Sequence, residues 1–135
     1  MTTQARILPV VTDLTRPYWE AARDEKLVIQ QCVDCSSYQF FPRPFCLKCM
    51  SENIEWTPSS GNGTIYTFTI NRRGSNPYMN ERVPYVVAMV TLDEGVRLMA
   101  NIIESEIEKV RIGARVSVVF EKVTEDISLP QFRLL

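Results

Sequence analysis

The chain has 135 residues, nearly balanced charge (15 Lys plus Arg against 16 Asp plus Glu, net −1) and no histidine. This length suits one compact domain or two small modules that share an interface. The lack of histidine excludes Ser-His-Asp and Cys-His catalysis within the chain, and the near-neutral charge argues against a protein that binds by covering phosphate backbones.

The first segment, residues 1–26, is predicted to form an extended arm followed by a helix. Pro17 is expected in the first turn of this helix, where its missing N–H costs nothing. Tyr18 and Ala22 lie four residues apart and therefore share one apolar face, with Trp19 beside them. Large aromatic residues at such a position either cover the core of their own chain or anchor an interface.

The arm and the hydropathy of the chain predict a cytoplasmic protein without a membrane segment. Residues 1–11 hold one charge and few consecutive apolar residues, and they lack the small-residue cleavage pattern of a signal peptide. No stretch approaches the roughly 20 apolar residues that span a bilayer. In a reducing compartment, paired cysteines indicate metal binding in preference to disulfides.

The second segment, residues 27–57, holds two Cys-x-x-Cys pairs separated by ten residues. Short strand patterns precede each pair, so both pairs are expected on hairpin-like turns. Four thiolates at this spacing can surround one Zn²⁺ at about 2.3 Å and leave no open position, which is typical of a structural site. A module of about 30 residues also needs such a metal to fold. The predicted ligands are Cys32, Cys35, Cys46 and Cys49.

Three alternatives to zinc remain open from the sequence: two disulfides, four free thiols, or iron in a rubredoxin-like site. The residues after each pair also depart from the usual pattern. Zinc-binding turns of this kind often place glycine there, because that position commonly has positive φ. Ser36 and Met50 occupy these positions. We therefore expect either a different second turn or backbone strain at Met50.

The third segment, residues 58–135, shows period-two patterns that are typical of strands. Tyr66, Phe68 and Ile70 are predicted to share one face of the first strand. The second strand is apolar on both faces and is expected to be covered on both sides. Asp-Glu-Gly at 93–95 predicts a tight hairpin. The five predicted strands comprise residues 65–70, 85–92, 96–103, 116–120 and 131–134.

Five short strands without a long helix between them predict a mainly β protein with a small, closed or nearly closed barrel. A five-stranded OB-fold is the leading interpretation, while an SH3-like barrel and a small sandwich remain open. A polar loop, residues 72–82, separates the first two strands. Its arginines are Arg72, Arg73 and Arg82.

With these segments in this order, the chain resembles a bacterial and archaeal family that was long described only as a domain of unknown function. Its members combine an N-terminal helix, a rubredoxin-like zinc ribbon and a C-terminal OB-fold. The chain departs from the family pattern at Ser36 and Met50, and at Leu47, where the family often has proline. Besides the four cysteines, the matching segments are residues 16–20, 27–32, 41–44, 63–69, 84–85, 92–95, 100–101, 113 and 130–132.

The resemblance implies a non-catalytic accessory or scaffold subunit with structural zinc. Family members are commonly partners of thiolase-like enzymes, and some work with hydratase-like or aldolase subunits on acyl-CoA thioesters. Some are thought to bind acyl-CoA themselves. In this interpretation Tyr18 and Trp19 are candidates for the partner interface. The alternative is that both residues cover the core of the chain.

Two other functional classes are weighed against the scaffold interpretation. A stand-alone module for acyl-CoA or lipid would use a cleft between ribbon and barrel, with Arg72, Arg73 and Arg82 meeting the CoA phosphates. A single-stranded nucleic-acid-binding OB-fold would stack bases on Tyr66, Phe68 and Tyr85, but such residues are more often barrel core and the net charge disfavours this function. An independent enzyme has the least support, because the chain lacks histidine and its predicted metal is saturated.

Overall fold

The computed structural model describes residues 6–135, so the first five residues of the predicted arm lie outside the described residues. One helix of two turns precedes a small sheet and a barrel, and a second, one-turn helix lies in the loop after the first barrel strand. The elements are α1 (Arg16–Arg23), β1 (Val28–Cys32), β2 (Tyr38–Gln39), β3 (Ile54–Pro58), β4 (Asn62–Asn71), α2 (Pro77–Asn80), β5 (Tyr85–Leu92), β6 (Arg97–Ile102), a 3₁₀ turn (Ile107–Lys109), β7 (Arg115–Lys122) and β8 (Ser128–Leu134).

The ribbon is a three-stranded antiparallel sheet in the order β2-β1-β3. The central strand β1 pairs along its whole length with β3, from Val28 opposite Pro58 to Cys32 opposite Ile54. Its pairing with β2 covers only two residues on each strand. The loop between β2 and β3 therefore needs other hydrogen-bond partners for its backbone.

The five remaining strands form a closed barrel in the order β4-β5-β6-β8-β7, which confirms the OB-fold and not a sandwich. Antiparallel pairs connect β4 with β5, β5 with β6 and β7 with β8. The antiparallel pair of β4 with β7 closes the barrel. The pair β6 and β8 is parallel and short, with Ile102 opposite Phe132. The predicted hairpin at 93–95 connects β5 to β6, and Gly95 has the positive φ of 100° that favours glycine there.

The prediction that Tyr66, Phe68 and Ile70 share one face of β4 was wrong. A bulge between Ile65 and Thr67 shifts the register with β5 by one residue. Ile65 is buried before the bulge, and Phe68 and Ile70 pack against the core after it. Tyr66 is left 52% exposed. An extra residue in a two-residue repeat exchanges the inward and outward positions, so the simple alternation fails beyond it.

The prediction that β5 is covered on both faces holds fully for one face and in part for the other. Alternate residues of β5 are buried in the barrel: Val86, Ala88, Val90 and Leu92. The intervening residues are only half-buried. The outward face of β5 is therefore covered incompletely, and its side chains are largely apolar.

A single hydrophobic core joins the helix, the ribbon and the barrel. Tyr18 of α1 and Ile29 of β1 belong to the same buried cluster as Val90 and Phe132 of the barrel. Tyr18 and Ala22 are the buried residues of α1, as the helical spacing predicted. The ribbon thus shares its apolar burial with the barrel. The division into segments 1–26, 27–57 and 58–135 stays a prediction.

Within residues 6–135, no helix has both the length and the apolar character required to span a bilayer.

Candidate metal centre and adjoining clefts

The four cysteine sulfurs converge at one end of the ribbon. The Sγ atoms of Cys32 and Cys49 are 3.6 Å apart, as are those of Cys35 and Cys46. All four lie within 4.8 Å of one another. A tetrahedral ion with bonds of about 2.3 Å would separate its sulfur ligands by about 3.8 Å, so the sulfurs fit zinc. The disulfide alternative is excluded, because such a bond needs about 2.05 Å and all four thiols are free.

The two cysteine pairs lie on nearly equivalent turns. The N–H of Ser36 donates to the carbonyl of Cys32, and the N–H of Met50 donates to the carbonyl of Cys46, both at 2.9 Å. The sulfur that opens each turn accepts the N–H of the cysteine that ends it, at 3.5 and 3.4 Å. These N–H groups point at the sulfurs that must carry negative charge as metal ligands.

The expected positive φ is present at both residues that follow the pairs. Ser36 has φ 64° and Met50 has φ 67°, so both turns have the usual shape despite lacking glycine. A non-glycine residue in this region costs about 1–2 kcal/mol. The Met50 side chain is 67% exposed, so burial of its side chain provides little compensation. The strain predicted for the second turn is therefore present.

A polar cross-link connects the two turns on the outside of the site. Asp34 lies within the first pair and accepts hydrogen bonds from the Ser51 hydroxyl and from Asn53 Nδ2, which is 3.0 Å away. These two bonds lower the pKa of Asp34 below its usual value, and the bond from Ser51 has the larger effect. Ser51 follows the second pair, so the carboxylate holds both turns in one arrangement.

Two buried glutamines carry the loop that leads into the second cysteine pair. Gln30 exchanges hydrogen bonds with the backbone of Arg43, using its amide oxygen at 2.8 Å and its amide nitrogen at 3.0 Å. Gln39 donates to the carbonyl of Phe45 and accepts the N–H of Leu47, both at 3.1 Å. The side chains of the two glutamines therefore supply the hydrogen bonds that a longer β2 would have given to the loop backbone. The sequence pattern did not indicate this role.

The thiols influence one another electrostatically. Hydrogen bonds from Ser37 lower the pKa of Cys35 to about 6. At Cys49 the backbone bond from Ser51 lowers the pKa, but burial and the three neighbouring thiols outweigh it and raise the pKa to about 12. The thiolate of Cys35 thus forms easily, whereas the neighbouring thiols oppose deprotonation of Cys49. A bound divalent cation removes this conflict, because it stabilises the deprotonated form of every ligand.

The two aromatic residues of α1 have different environments. The Tyr18 ring is buried and contacts the rings of Trp19, Phe40 and Trp56, with centroid distances of 4.9, 5.4 and 6.3 Å. Burial raises the pKa of Tyr18 well above its usual value. Trp19 is half-buried and, with the edge of Tyr18, lines a cleft beside the barrel. Their role in a partner interface stays a prediction.

The cleft beside α1 has a volume of about 420 Å³ and a mixed polar and apolar lining. Trp19 and Tyr85 contribute aromatic surface. Gln131 forms the polar part: its amide oxygen accepts the N–H of Asn101 at 2.8 Å and its amide nitrogen donates to Glu121 at 3.1 Å. The carboxylate of Glu121 also pairs with Arg6, a further lining residue, at 3.0 Å. A small molecule could lie here, but these polar groups already have partners.

The three arginines predicted to bind ligand are not brought together. Arg72 and Arg73 are exposed and line neither this cleft nor the smaller one beside it. Arg82 lines the smaller cleft, of about 260 Å³, and its guanidinium lies 3.5 Å from the centre of the Tyr78 ring. Sequence reasoning missed Arg6, which lines both clefts. Nothing in the spacing of the arm pointed to it.

Two family models match the chain over consecutive segments. Residues 19–55 match the ChsH2 rubredoxin-like zinc ribbon domain, and residues 56–121 match the ChsH2 C-terminal OB-fold domain. The two matches meet between Glu55 and Trp56, within β3. Together they cover both parts of the described architecture.

Curated relatives fall into two groups. A DUF35 domain-containing scaffold protein of Methanocaldococcus jannaschii is 32% identical over 74% of this chain and 71% of its own length. A probable enoyl-CoA hydratase alpha subunit of Thermomonospora curvata is 33% identical over 86% of this chain. The chain spans only 36% of that subunit. A benzoylsuccinyl-CoA thiolase subunit, BbsA, of Geobacter metallireducens is 31% identical over 78% of this chain and 63% of its own length.

Solved structures show the same fold. The structure described as "Ltp2-ChsH2(DUF35) aldolase" contains a chain with a TM-score of 0.85 and 31% identity, covering 94% of this chain and 98% of that one. A DUF35 protein of unknown function from Sulfolobus solfataricus has a TM-score of 0.65 at 13% identity, and covers 91% and 86% of the two chains. The second likeness supports the fold alone.

Proposed function

Because this chain belongs to the ChsH2 family of zinc-ribbon and OB-fold proteins, we propose that it is a non-catalytic scaffold subunit for an enzyme that acts on acyl-CoA thioesters. The partner class is a thiolase-like, aldolase-like or hydratase-like subunit. Structural zinc held by Cys32, Cys35, Cys46 and Cys49 keeps the ribbon in the shape that the partner recognises.

One observation carries this proposal. The similarity to the chain in the Ltp2-ChsH2(DUF35) aldolase extends over 98% of that chain, with a TM-score of 0.85. Both the ribbon and the barrel are therefore alike, together with their mutual arrangement. Relatives named as scaffold proteins, as a hydratase alpha subunit and as a thiolase subunit point to the same enzyme class.

The chemistry of the site supports a role without catalysis. Four thiolates would fill the coordination shell of zinc, whereas catalytic zinc keeps a position for water or substrate. The chain has no histidine to act as a general base near neutral pH. In the cleft beside α1, the carboxylate of Glu121 is already engaged by Arg6 and Gln131.

Affinity purification from the native host tests the proposal. The tagged chain is expected to retain a thiolase-, aldolase- or hydratase-type subunit in stoichiometric amount, identified by peptide mass spectrometry. A Cys32→Ser variant is expected to lose this partner together with its zinc. A chain that purifies as a zinc-loaded monomer without any acyl-CoA enzyme would contradict the scaffold role.

A second candidate function, a stand-alone acyl-CoA or lipid-binding module, is favoured by the cleft beside α1. Trp19 and Tyr85 offer apolar surface there, and Arg6 lies at the junction with the smaller cleft, where Arg82 could meet a phosphate. Calorimetry with several acyl-CoAs tests it, and Arg82→Ala should weaken binding while Arg73→Ala should not. Nucleic-acid binding has less support, because the clefts lack a basic groove.

A further inference from the structure

The outer face of β5 and β6 carries a pair of methionines directly opposite each other. Met89 on β5 and Met99 on β6 are register partners in the antiparallel pair. Met99 is 68% exposed. Methionine is flexible and polarisable, and it is common on surfaces that bind other proteins. The inward residues of β5 and β6 supply the barrel core, so the exposed Met99 side chain contributes little to the barrel itself.

The methionine pair forms one wall of an apolar groove between barrel and ribbon. The groove has a volume of about 380 Å³, and Phe40 and Phe41 of the ribbon line it opposite the methionines. Met99 also lines the cleft beside α1, where Trp19 lies. Met99 therefore connects the groove with that cleft, whose lining is partly polar. We call the surface formed by Phe41, Tyr66, Met89, Arg97 and Met99 the methionine face.

The Phe41 side chain is 67% exposed and rests against a neighbouring aromatic ring. Its ring stacks on that of Phe40 with centroids 5.7 Å apart and an angle of 20°, and Phe40 packs against the core. Two residues further on, Gln30 fixes the backbone of Arg43. An exposed aromatic side chain that already rests against a neighbouring ring loses less conformational entropy on binding than a free one, which suits an interface anchor.

Arg97 gives the face its charge. The other residues that line the groove are apolar, and Arg97 carries its charge. Its guanidinium lies 3.7 Å from the centre of the Tyr66 ring, and its Nε donates to the hydroxyl of Thr91 at 3.1 Å. Within residues 6–135 it forms no ion pair with a carboxylate. The remaining N–H groups are therefore available to a carboxylate of another molecule.

The size and charge of the face select its occupant. Phe41 and Tyr66 alone expose roughly 200–300 Å² of aromatic side chain, and the methionines bring the patch into the range of about 300–600 Å² that is often functional. A single arginine is too little charge for a nucleic-acid groove. An apolar centre with one cation at its edge fits a folded protein surface that offers apolar side chains and a carboxylate.

We propose that the methionine face is the surface on which the acyl-CoA enzyme subunit docks, with Phe41 and Met99 as its apolar anchors and Arg97 facing a partner carboxylate. This proposal rests on the proposed scaffold function. It names the contact surface that the function requires, and none of the four cysteines lines the groove of that surface.

The test measures the affinity of this chain for the enzyme subunit that co-purifies with it. Phe41→Ser and Met99→Lys change exposed side chains, so both variants should keep their circular dichroism and zinc content. Each is expected to weaken binding at least about tenfold. Arg97→Glu is expected to weaken it as well, more strongly at low salt. Ile112→Lys is the matched control, because Ile112 is 66% exposed at another site, and its affinity should stay within about twofold.

A photo-crosslinking residue gives an independent readout. Placed at position 41 or 99, it should attach to the enzyme subunit, whereas at position 112 it should not. If the wild-type chain binds the enzyme but Phe41→Ser and Met99→Lys bind equally well and no crosslink forms, the docking surface is wrong and the scaffold function stands. If the wild type captures no acyl-CoA enzyme, both proposals fail.

Other occupants of the face would also overturn the proposal. Self-association of the wild type that Met99→Lys abolishes, seen by sedimentation, would make the face a contact between two copies of this chain. Binding of an acyl-CoA to the isolated chain that Met99→Lys abolishes would make the groove a ligand site. Salt-sensitive binding of a single-stranded oligonucleotide that Arg97→Glu abolishes would make it a nucleic-acid site.

Discussion

Gln39 donates a hydrogen bond of 2.9 Å to Gln30, and both side chains are buried within the ribbon. Through this pair, the loop between the two cysteine pairs gains the backbone partners that a longer β2 would have provided. That loop carries Phe41 to its exposed position and Cys46 to the metal centre. The side-chain amides of Gln30 and Gln39 thus support both the metal centre and the exposed position of Phe41.

Replacement of Gln30 by leucine should destabilise the ribbon strongly. Gln30→Leu leaves the N–H and the carbonyl of Arg43 without their side-chain partners, and it removes one of the two acceptors of the Gln39 amide nitrogen. We expect the free energy of unfolding to fall by about 2–4 kcal/mol, because each buried polar group left unpaired costs about 1–3 kcal/mol. Denaturant titration of the zinc-loaded protein measures it.

The neighbouring glutamine is the matched control for that variant. Gln31 makes one exposed hydrogen bond of 3.2 Å to the carbonyl of Ser36. Gln31→Leu should therefore cost about 1 kcal/mol or less. Equal losses for Gln30→Leu and Gln31→Leu would show that the buried network has no special contribution.

Glycine at position 50 should stabilise the second cysteine turn. Met50→Gly removes the strain of φ 67° and loses little packing. Since glycine also makes the unfolded chain more flexible, we expect a net gain of about 0.5–1 kcal/mol. Leu47→Gly is the control: Leu47 is similarly exposed but has no positive φ, so this variant should lose stability. If both variants lose stability equally, Met50 carries no strain.

Removal of the metal should open the ribbon before the barrel. Zinc supplies roughly 10 kcal/mol or more to small structural sites, whereas the barrel has its own closed hydrogen bonding. After treatment with a strong chelator, amide hydrogen exchange should accelerate in Val28–Cys32 and much less in Tyr85–Leu92. A structural role for zinc would be contradicted if the amides of Val28–Cys32 exchange equally slowly with and without metal.

Acid should weaken the contact between the β5–β6 hairpin and β7. Asp93 accepts two hydrogen bonds from Arg115, at 2.8 and 3.0 Å, and these bonds lower its pKa. A carboxyl whose pKa is lower in the folded state adds stability above its unfolded pKa of about 3.9, and loses it as the pH falls through the folded value. Carbon NMR of the Asp93 carboxyl should show a lower midpoint in the wild type than in Arg115→Gln. Identical midpoints would refute the pairing.

Local patterns in the sequence were sufficient to predict several of these features. The spacing of the cysteines predicted one metal centre. The positions after each pair indicated either a different second turn or strain at Met50, and the positive φ of Met50 corresponds to the second alternative. Asp-Glu-Gly at 93–95 predicted the hairpin. Each of these conclusions depends on a few neighbouring residues whose conformational requirements are strong.

Features that depend on distant contacts could not be predicted. The bulge between Ile65 and Thr67 belongs to the register of β4 with β5, and it leaves Tyr66 exposed against the simple alternation. Gln30 looks like a surface residue in the sequence and is almost fully buried. The pairing of Met89 with Met99 requires the β5–β6 register, and the outward position of this pair follows from the barrel.

The measurement that most directly tests the scaffold role is native mass spectrometry of the tagged chain purified from its host. The account predicts a complex whose mass contains this chain, one zinc ion per chain and a thiolase-, aldolase- or hydratase-type subunit. A dominant mass of the zinc-loaded chain alone, at concentrations where the host's acyl-CoA enzymes are present, would contradict it.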